Sequence, residues 1–207
     1  MLIGGRIIPS FTRNWLAMAG ASRLPVPFNR QDGAAILVGL AALLVWTAAP
    51  LGPVTAAAAL AGAGAIAWRL SRWCGAATWR EPLLLVLHVA FGFLGLGFVA
   101  VAAAALGWLP AAGAMHLLMV GGIAGMMLAV MTRATRGHTG QPLTASRWTV
   151  VSYLCLFGAA LARPAADLAG SALLLQCAGG LWIAAFLLFL GEYGPMLLFE
   201  RQRSRRP

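Results

Sequence analysis

The sequence contains no lysine and only five acidic residues in 207, so all fifteen basic residues are arginines. Charged residues of every kind make up 10% of the chain, far below the roughly 25% of an ordinary soluble domain. Cysteine is scarce too. Cys74, Cys155 and Cys177 form no C-x-x-C pair and no even set, which argues against a disulfide framework. The sequence has no glycine-rich phosphate loop, no paired carboxylates and no nucleophile beside a base, so hydrolytic chemistry has no support. The start, MLIGGRIIPSF, lacks the basic-then-apolar layout of a cleavable signal, and the first spanning helix is expected to direct insertion. A net charge of +10 raises the question of nucleic acid. The arginines, however, lie between apolar runs and lack the aromatic interleaving of a single-strand-binding surface. No nucleic-acid partner is expected, and membrane topology accounts for the charge.

Apolar residues are abundant, at 61% of the chain. They fall into six runs, over 33–49, 54–70, 82–107, 111–132, 148–162 and 169–190. Several approach the ~20 residues that cross a ~30 Å hydrocarbon layer. The chain therefore reads as all-α, a polytopic membrane bundle of six transmembrane helices over 33–190. Residues 1–32 form a cytoplasmic leader broken by Pro9, Pro25 and Pro27. Within it, Phe11 to Ala21 reads equally well as a short interfacial helix or as an irregular segment. Residues 191–207 form a basic cytoplasmic tail suited to contact with the lipid bilayer. Fourteen of the fifteen arginines fall in the leader, the 69–81 and 133–147 loops and the tail, with Arg163 alone opposite. By the positive-inside rule both termini are cytoplasmic.

Two runs carry the candidate chemistry. The run from 82 opens on Thr78 and Glu81, spaced as a capping box, with Pro82 at the first helical position. Along it His88, Gly92, Gly95, Val99 and Ala102 share one face. Small residues on such a face admit either a neighbouring backbone or a flat macrocycle beside an inward histidine. In the run from 111, a 100° step puts Met115, His116, Met119, Met126, Met127 and Met131 in one arc, opposite the pair Gly121 and Gly125. Thioether and imidazole suit copper(I) and haem iron, though methionine is also ordinary core filling.

Depth separates the histidines. His88 lies about 7 Å below the start of its helix at 1.5 Å per residue, whereas His116 lies near the opposite end of the next one. The two differ in depth by roughly 15 Å in a ~30 Å layer, so they cannot share a metal. His88 is expected to join Met131 or His138 in a cofactor site, with Arg133 and Arg136 placed either for haem propionates or simply as helix-end cations. His116 is expected to form a separate metal site with Met115 or Met119, or with groups from another chain.

Three stretches, GGRIIPSFTRNWL from Gly4, PLLLVLHVAFGFLGLG over 82–97 and HLLMVGGIAGMMLAVMTRATRGHTGQPL over 116–143, resemble the NnrS family. These are bacterial inner-membrane proteins linked to nitric oxide stress and denitrification and described as binding haem and copper. The resemblance runs from about Gly4 to the tail. It implies a multi-pass inner-membrane protein binding haem and/or copper in the nitric oxide response. Such proteins usually have about twice as many spanning helices, so the chain looks like the carboxy-terminal half alone. A homo-oligomer, or a separate chain supplying the other half, is the implied partner. The competing reading is a half-transporter that dimerises to move a small solute or ion.

Overall fold

The computed structural model describes residues 1–200, which are helical throughout apart from turns and short connections. Arg201, Arg203, Arg205 and Arg206 of the expected tail lie outside the described residues. Helix α1 covers Gly4–Met18, and six longer helices follow. These are α2 (Arg30–Ala48), α3 (Pro53–Ser71), α4 (Pro82–Ala105), α5 (Ala111–His138), α6 (Arg147–Ala169) and α7 (Ala172–Pro195). All six are long and apolar enough to cross a membrane, and the chain is a multi-pass membrane protein.

Local chemistry sets the boundaries. Asn29 caps α2 by accepting from the Gln31 and Asp32 amides, while its own N–H donates to Asp32 Oδ2 at 3.1 Å. The turn before α3 needs a left-handed residue, and Gly52 supplies it at φ 107°. At α4 the expected capping box does not form. Glu81 is itself the cap, accepting from the Leu83 amide at 3.3 Å, while Thr78 bonds back to the Gly75 carbonyl. Helices α5 and α6 run past the apolar runs that announced them. Helix α5 continues through the polar stretch TRATRGH to His138, and α6 passes Pro164 to reach Ala169. An Arg163–Asp167 pair at i, i+4 spans that extra turn of α6. Residues Leu117–Ala124 of α5 are a π-helix, each turn of which holds about one residue more than an α turn.

Each spanning helix packs chiefly on its neighbours in sequence, with α4 in the middle touching α1, α3 and α5. Glycine makes the closest approaches possible. A Cβ on Gly121 would sit 2.1 Å from Phe93, and one on Gly97 would sit 2.6 Å from Leu118. Gly125 abuts Ala90 and Phe157. Gly95 packs on Ile66 of α3 and Gly92 touches Leu70, so part of the small-residue face of α4 is spent on helix packing, while Gly92 also borders a groove beside His88.

Helix α1 differs from the leader expected there. It begins seven residues before Phe11 and lies against the bundle, burying Gly4, Gly5, Ile8, Pro9, Thr12 and Leu16. Pro9 lies in its second turn and has no amide to offer the Gly5 carbonyl, and the strongly one-sided distribution of apolar residues drives the packing. Gly4 lies against Phe91 and Met126, and Gly5 lies against the guanidinium of Arg69.

Candidate cofactor site

At the end of the bundle where α2 begins and α3 ends, Asp32 takes two arginines. Arg69 Nε lies 3.1 Å from Asp32 Oδ1, and Arg72 Nη1 lies 3.2 Å from Oδ2. Arg69 is fully buried, with its guanidinium 5.2 Å from the Trp73 ring centroid and 5.6 Å from that of Phe91. Its Nη2 has no hydrogen-bond partner among the described residues. A Cβ on Gly5 would stand 2.0 Å from that nitrogen, so only glycine lets α1 seat here.

His88 sits one turn along from this cluster and is 5% exposed. Its Nδ1 lies 3.1 Å from the Leu84 carbonyl. A carbonyl only accepts, so Nδ1 carries the proton and the neutral ring leaves a lone pair on Nε2. The Thr12 hydroxyl of α1 approaches Nε2 at a long 3.4 Å, and the backbone of Trp73 also lies against the ring. The ring edge is held by Gly75, where a Cβ would come within 2.7 Å of Cδ2. His88 also lines a groove of about 710 Å³ shared with Cys74, Gly75, Ser71, Gly92 and Arg23. Cys74 is the one non-glycine residue with positive φ among those described, at 54°, where the chain turns from α3 toward α4.

The other expected site residues are dispersed. Arg133 lies with its guanidinium 4.8 Å from the Phe11 ring centroid, close enough to feel the Glu81 carboxylate. Burial raises the Glu81 carboxyl above its ordinary value against the opposing effects of the Leu83 amide and Arg133. Arg136 is committed elsewhere. It pairs with Glu192 at 2.7 Å, donates to the Tyr193 hydroxyl at 3.2 Å and reaches the Pro142 carbonyl at 3.3 Å. Ser146 and Thr149 donate to the second oxygen of Glu192 at 2.7 and 2.8 Å, completing a network across α5, α6 and α7. His138 is exposed at the end of α5. Neither His138 nor Met131 meets His88 in any described contact.

Methionines gather in a second groove of about 540 Å³, bounded by α1, α2, α4 and α5. Met1, Met119, Met126, Met127 and Met131 line it, without a histidine or cysteine. Met115 and His116 do not. The expected arc thus brings Met119, Met126, Met127 and Met131 to one groove and leaves Met115 and His116, before the π stretch, off it. His116 is half-buried at the far end, within electrostatic reach of Arg163 and Asp167. No cluster of three or more histidine, cysteine or acidic side chains fit to hold a metal occurs among the described residues.

Several residues around His88 escaped the sequence reading. Thr12 and Gly5 lie in a segment that reads as a leader, and Gly75 and Cys74 lie in what reads as a loop. The signal that was available is the one-sided pattern of residues 4–18, which marks a helix with a face to bury. Asp32 was legible as an isolated acid at the start of an apolar run, needing a cation.

No curated protein and no solved structure matches this chain. The family model described as NnrS protein matches residues 1–201, with His88, the α5 stretch and the inserted α1 all inside the match. The chain belongs to the NnrS family.

Proposed function

We propose that this protein binds haem and/or copper in the membrane, at the groove beside His88, and serves in the response to nitric oxide or nitrosative stress. The observation that carries this reading is the state of His88. Its ring is fixed by the Nδ1–H bond to the Leu84 carbonyl, which leaves Nε2 facing a long contact to Thr12 beside the backbone of Trp73. Metal-ligating histidines ordinarily have their other nitrogen anchored in this way. Cys74 and Arg23 border the same groove and supply a soft donor and a cation for an anionic substituent. The donor set fits these groups: His88 would hold haem iron through its imidazole, or His88 with Cys74 would hold copper. When bound, either group supplies one-electron chemistry and a coordination position for a small diatomic molecule. The chain's own part is to orient the imidazole, exclude water through Trp73 and Phe91, and hold α1 across the site through Gly5 and Thr12.

In the same reading the protein lies in the bacterial inner membrane with its arginine-bearing end toward the cytoplasm. It functions beside a second copy or a chain supplying further helices. Met115, Met119, Met131 and His116 are assigned no shared cofactor role, since they do not converge.

The test is an absorption spectrum with elemental analysis of the purified protein. A Soret band or stoichiometric copper is expected, abolished by His88→Ala and reduced by Cys74→Ala. His116→Ala should leave the spectrum unchanged. Retention of the band or the metal in His88→Ala would exclude the assigned site.

A further inference from the structure

The methionine groove and the outer face of α1 form one continuous surface that cofactor binding does not use. Ile3 lines the groove and is 72% exposed. Counting 100° per residue from Ile3, Arg6, Ser10, Arg13 and Asn14 all lie within about 80° of it, and all four are exposed. The opposite face of the same helix is buried against α4 and Arg69. An apolar recess thus passes, along one side of a single helix, into a stripe carrying two guanidiniums.

That stripe lacks counter-charge. Arg6 has no hydrogen-bond or ion-pair partner among the described residues, and Arg13 has one long bond, from Nη1 to the Pro25 carbonyl at 3.5 Å. The described carboxylates are already engaged: Asp32 with Arg69 and Arg72, Glu192 with Arg136, Asp167 with Arg163, and Glu81 as the cap of α4. A second copy would bring the same engaged acids to this face and would set arginine against arginine. Exposed cations beside spanning helices need an anion or water, since hydrocarbon solvates neither charge nor free donors.

The groove itself is open sideways. Met119 is 47% exposed, Ile123 47% and Met127 56%, on helices that span the bilayer. Its volume of about 540 Å³ falls within the range of small-ligand pockets, and its wall is almost entirely apolar.

We infer that this surface is a binding site for an anionic glycerophospholipid, with one acyl chain in the methionine groove and the phosphate held by Arg6 and Arg13. Both halves of the ligand are matched by adjacent parts of the protein, and lateral opening gives entry from the bilayer without any lid. Flexible, polarizable thioethers suit a chain that varies in length and unsaturation.

The test is native mass spectrometry of the full chain released from nanodiscs of phosphatidylglycerol or of phosphatidylcholine. One retained phosphatidylglycerol per chain is expected, with phosphatidylcholine lost at the same activation energy. Each arginine removed should weaken retention roughly fivefold, so the variant Arg6→Gln with Arg13→Gln should release the lipid readily. Ile123→Trp should fill the groove and displace it, with the far-ultraviolet dichroism checking that this variant folds. Equal retention of both lipids, or retention unaffected by either variant, would show annular lipid only and overturn the proposal. So would a dimer that covers α1, or a Soret band that disappears with Ile123→Trp, which would put a porphyrin in the groove. The His88 spectrum is read on the same samples, so loss of lipid and loss of cofactor are separable.

Discussion

Two polar clusters stand at the same end of the bundle, and they differ in how completely they are satisfied. Around Glu192, every polar group has a partner: Arg136, Ser146 and Thr149 share the carboxylate, and Tyr193 takes both Arg136 and Thr149. Around Asp32 and His88, capacity is left over. Among the described residues Arg69 has an unpartnered nitrogen, and His88 Nε2 has Thr12 at a long 3.4 Å. A closed network joins helices and has nothing left to offer a ligand, whereas the open one is held in place by a separate helix, α1. The difference separates a self-satisfied cluster from one with capacity to spare at the same end of one protein.

Substitutions can break this contrast, starting with the largest effect. Asp32→Ala strands Arg69 in the core and should cost about 3–5 kcal/mol, as uncompensated buried charges do. It should be read as loss of folded protein in a denaturant titration in detergent. Glu192→Ala should cost about 3 kcal/mol or slightly less, because Arg136 keeps Tyr193 and Pro142 as partners. If Glu192→Ala proves the more damaging, the contrast is reversed. Gly5→Val should cost about 1–3 kcal/mol of overpacking against Arg69. Its effect should be local, seen as faster hydrogen exchange in residues 4–18 with α6 and α7 unchanged. Thr149→Val removes one of several bonds to Glu192 and should cost about 0.6 kcal/mol, the typical value for a hydrogen bond between membrane helices. A much larger loss would mean that the closed network is less redundant than its geometry implies.

The smallest effect is a pH dependence. Burial raises the Glu81 carboxyl above its unfolded value, so the folded state favours the protonated form. Its contribution to stability is fully present below the ordinary glutamate range and is lost as pH rises through the raised value. Glu81→Gln should flatten the stability profile across that window. A profile that rises with pH in the parent and not in the variant would mean that Arg133 outweighs burial.

The six spans could be read from composition, because a membrane helix must be long and apolar whatever surrounds it. The packing face of α5 was legible for the same reason, since Gly121 and Gly125 are useful only against a neighbour. The candidate cofactor site was less legible. His88 stood out as an ionisable residue in an apolar run, yet its surroundings come from three separate elements: Thr12 on α1, Cys74 and Gly75 in the connection, and Leu84 on its own helix. No local pattern announces such a convergence. Arg136 looked free for a ligand because its partner, Glu192, lies 56 residues away in sequence. The methionine arc brought Met119, Met126, Met127 and Met131 to one groove but not Met115 and His116. It assumed one helical pitch from Met115 to Met131, and the π stretch breaks that assumption.

That π stretch makes α5 two helices set at different phases on one axis, with the offset absorbed over eight residues. Upstream, the phase is set by Gly113 against Pro164; downstream, by Thr132 against Tyr153 and Arg136 against Glu192. The stretch works as a splice. Deleting a single residue from it, Gly122 for instance, would let the stretch return to α pitch while leaving everything from Met126 to His138 near its present phase. A deletion in the regular segment that follows, Ala129 for instance, would instead turn Arg136 away from Glu192 by about 100°, so there the length of the chain is as tightly specified as its residues.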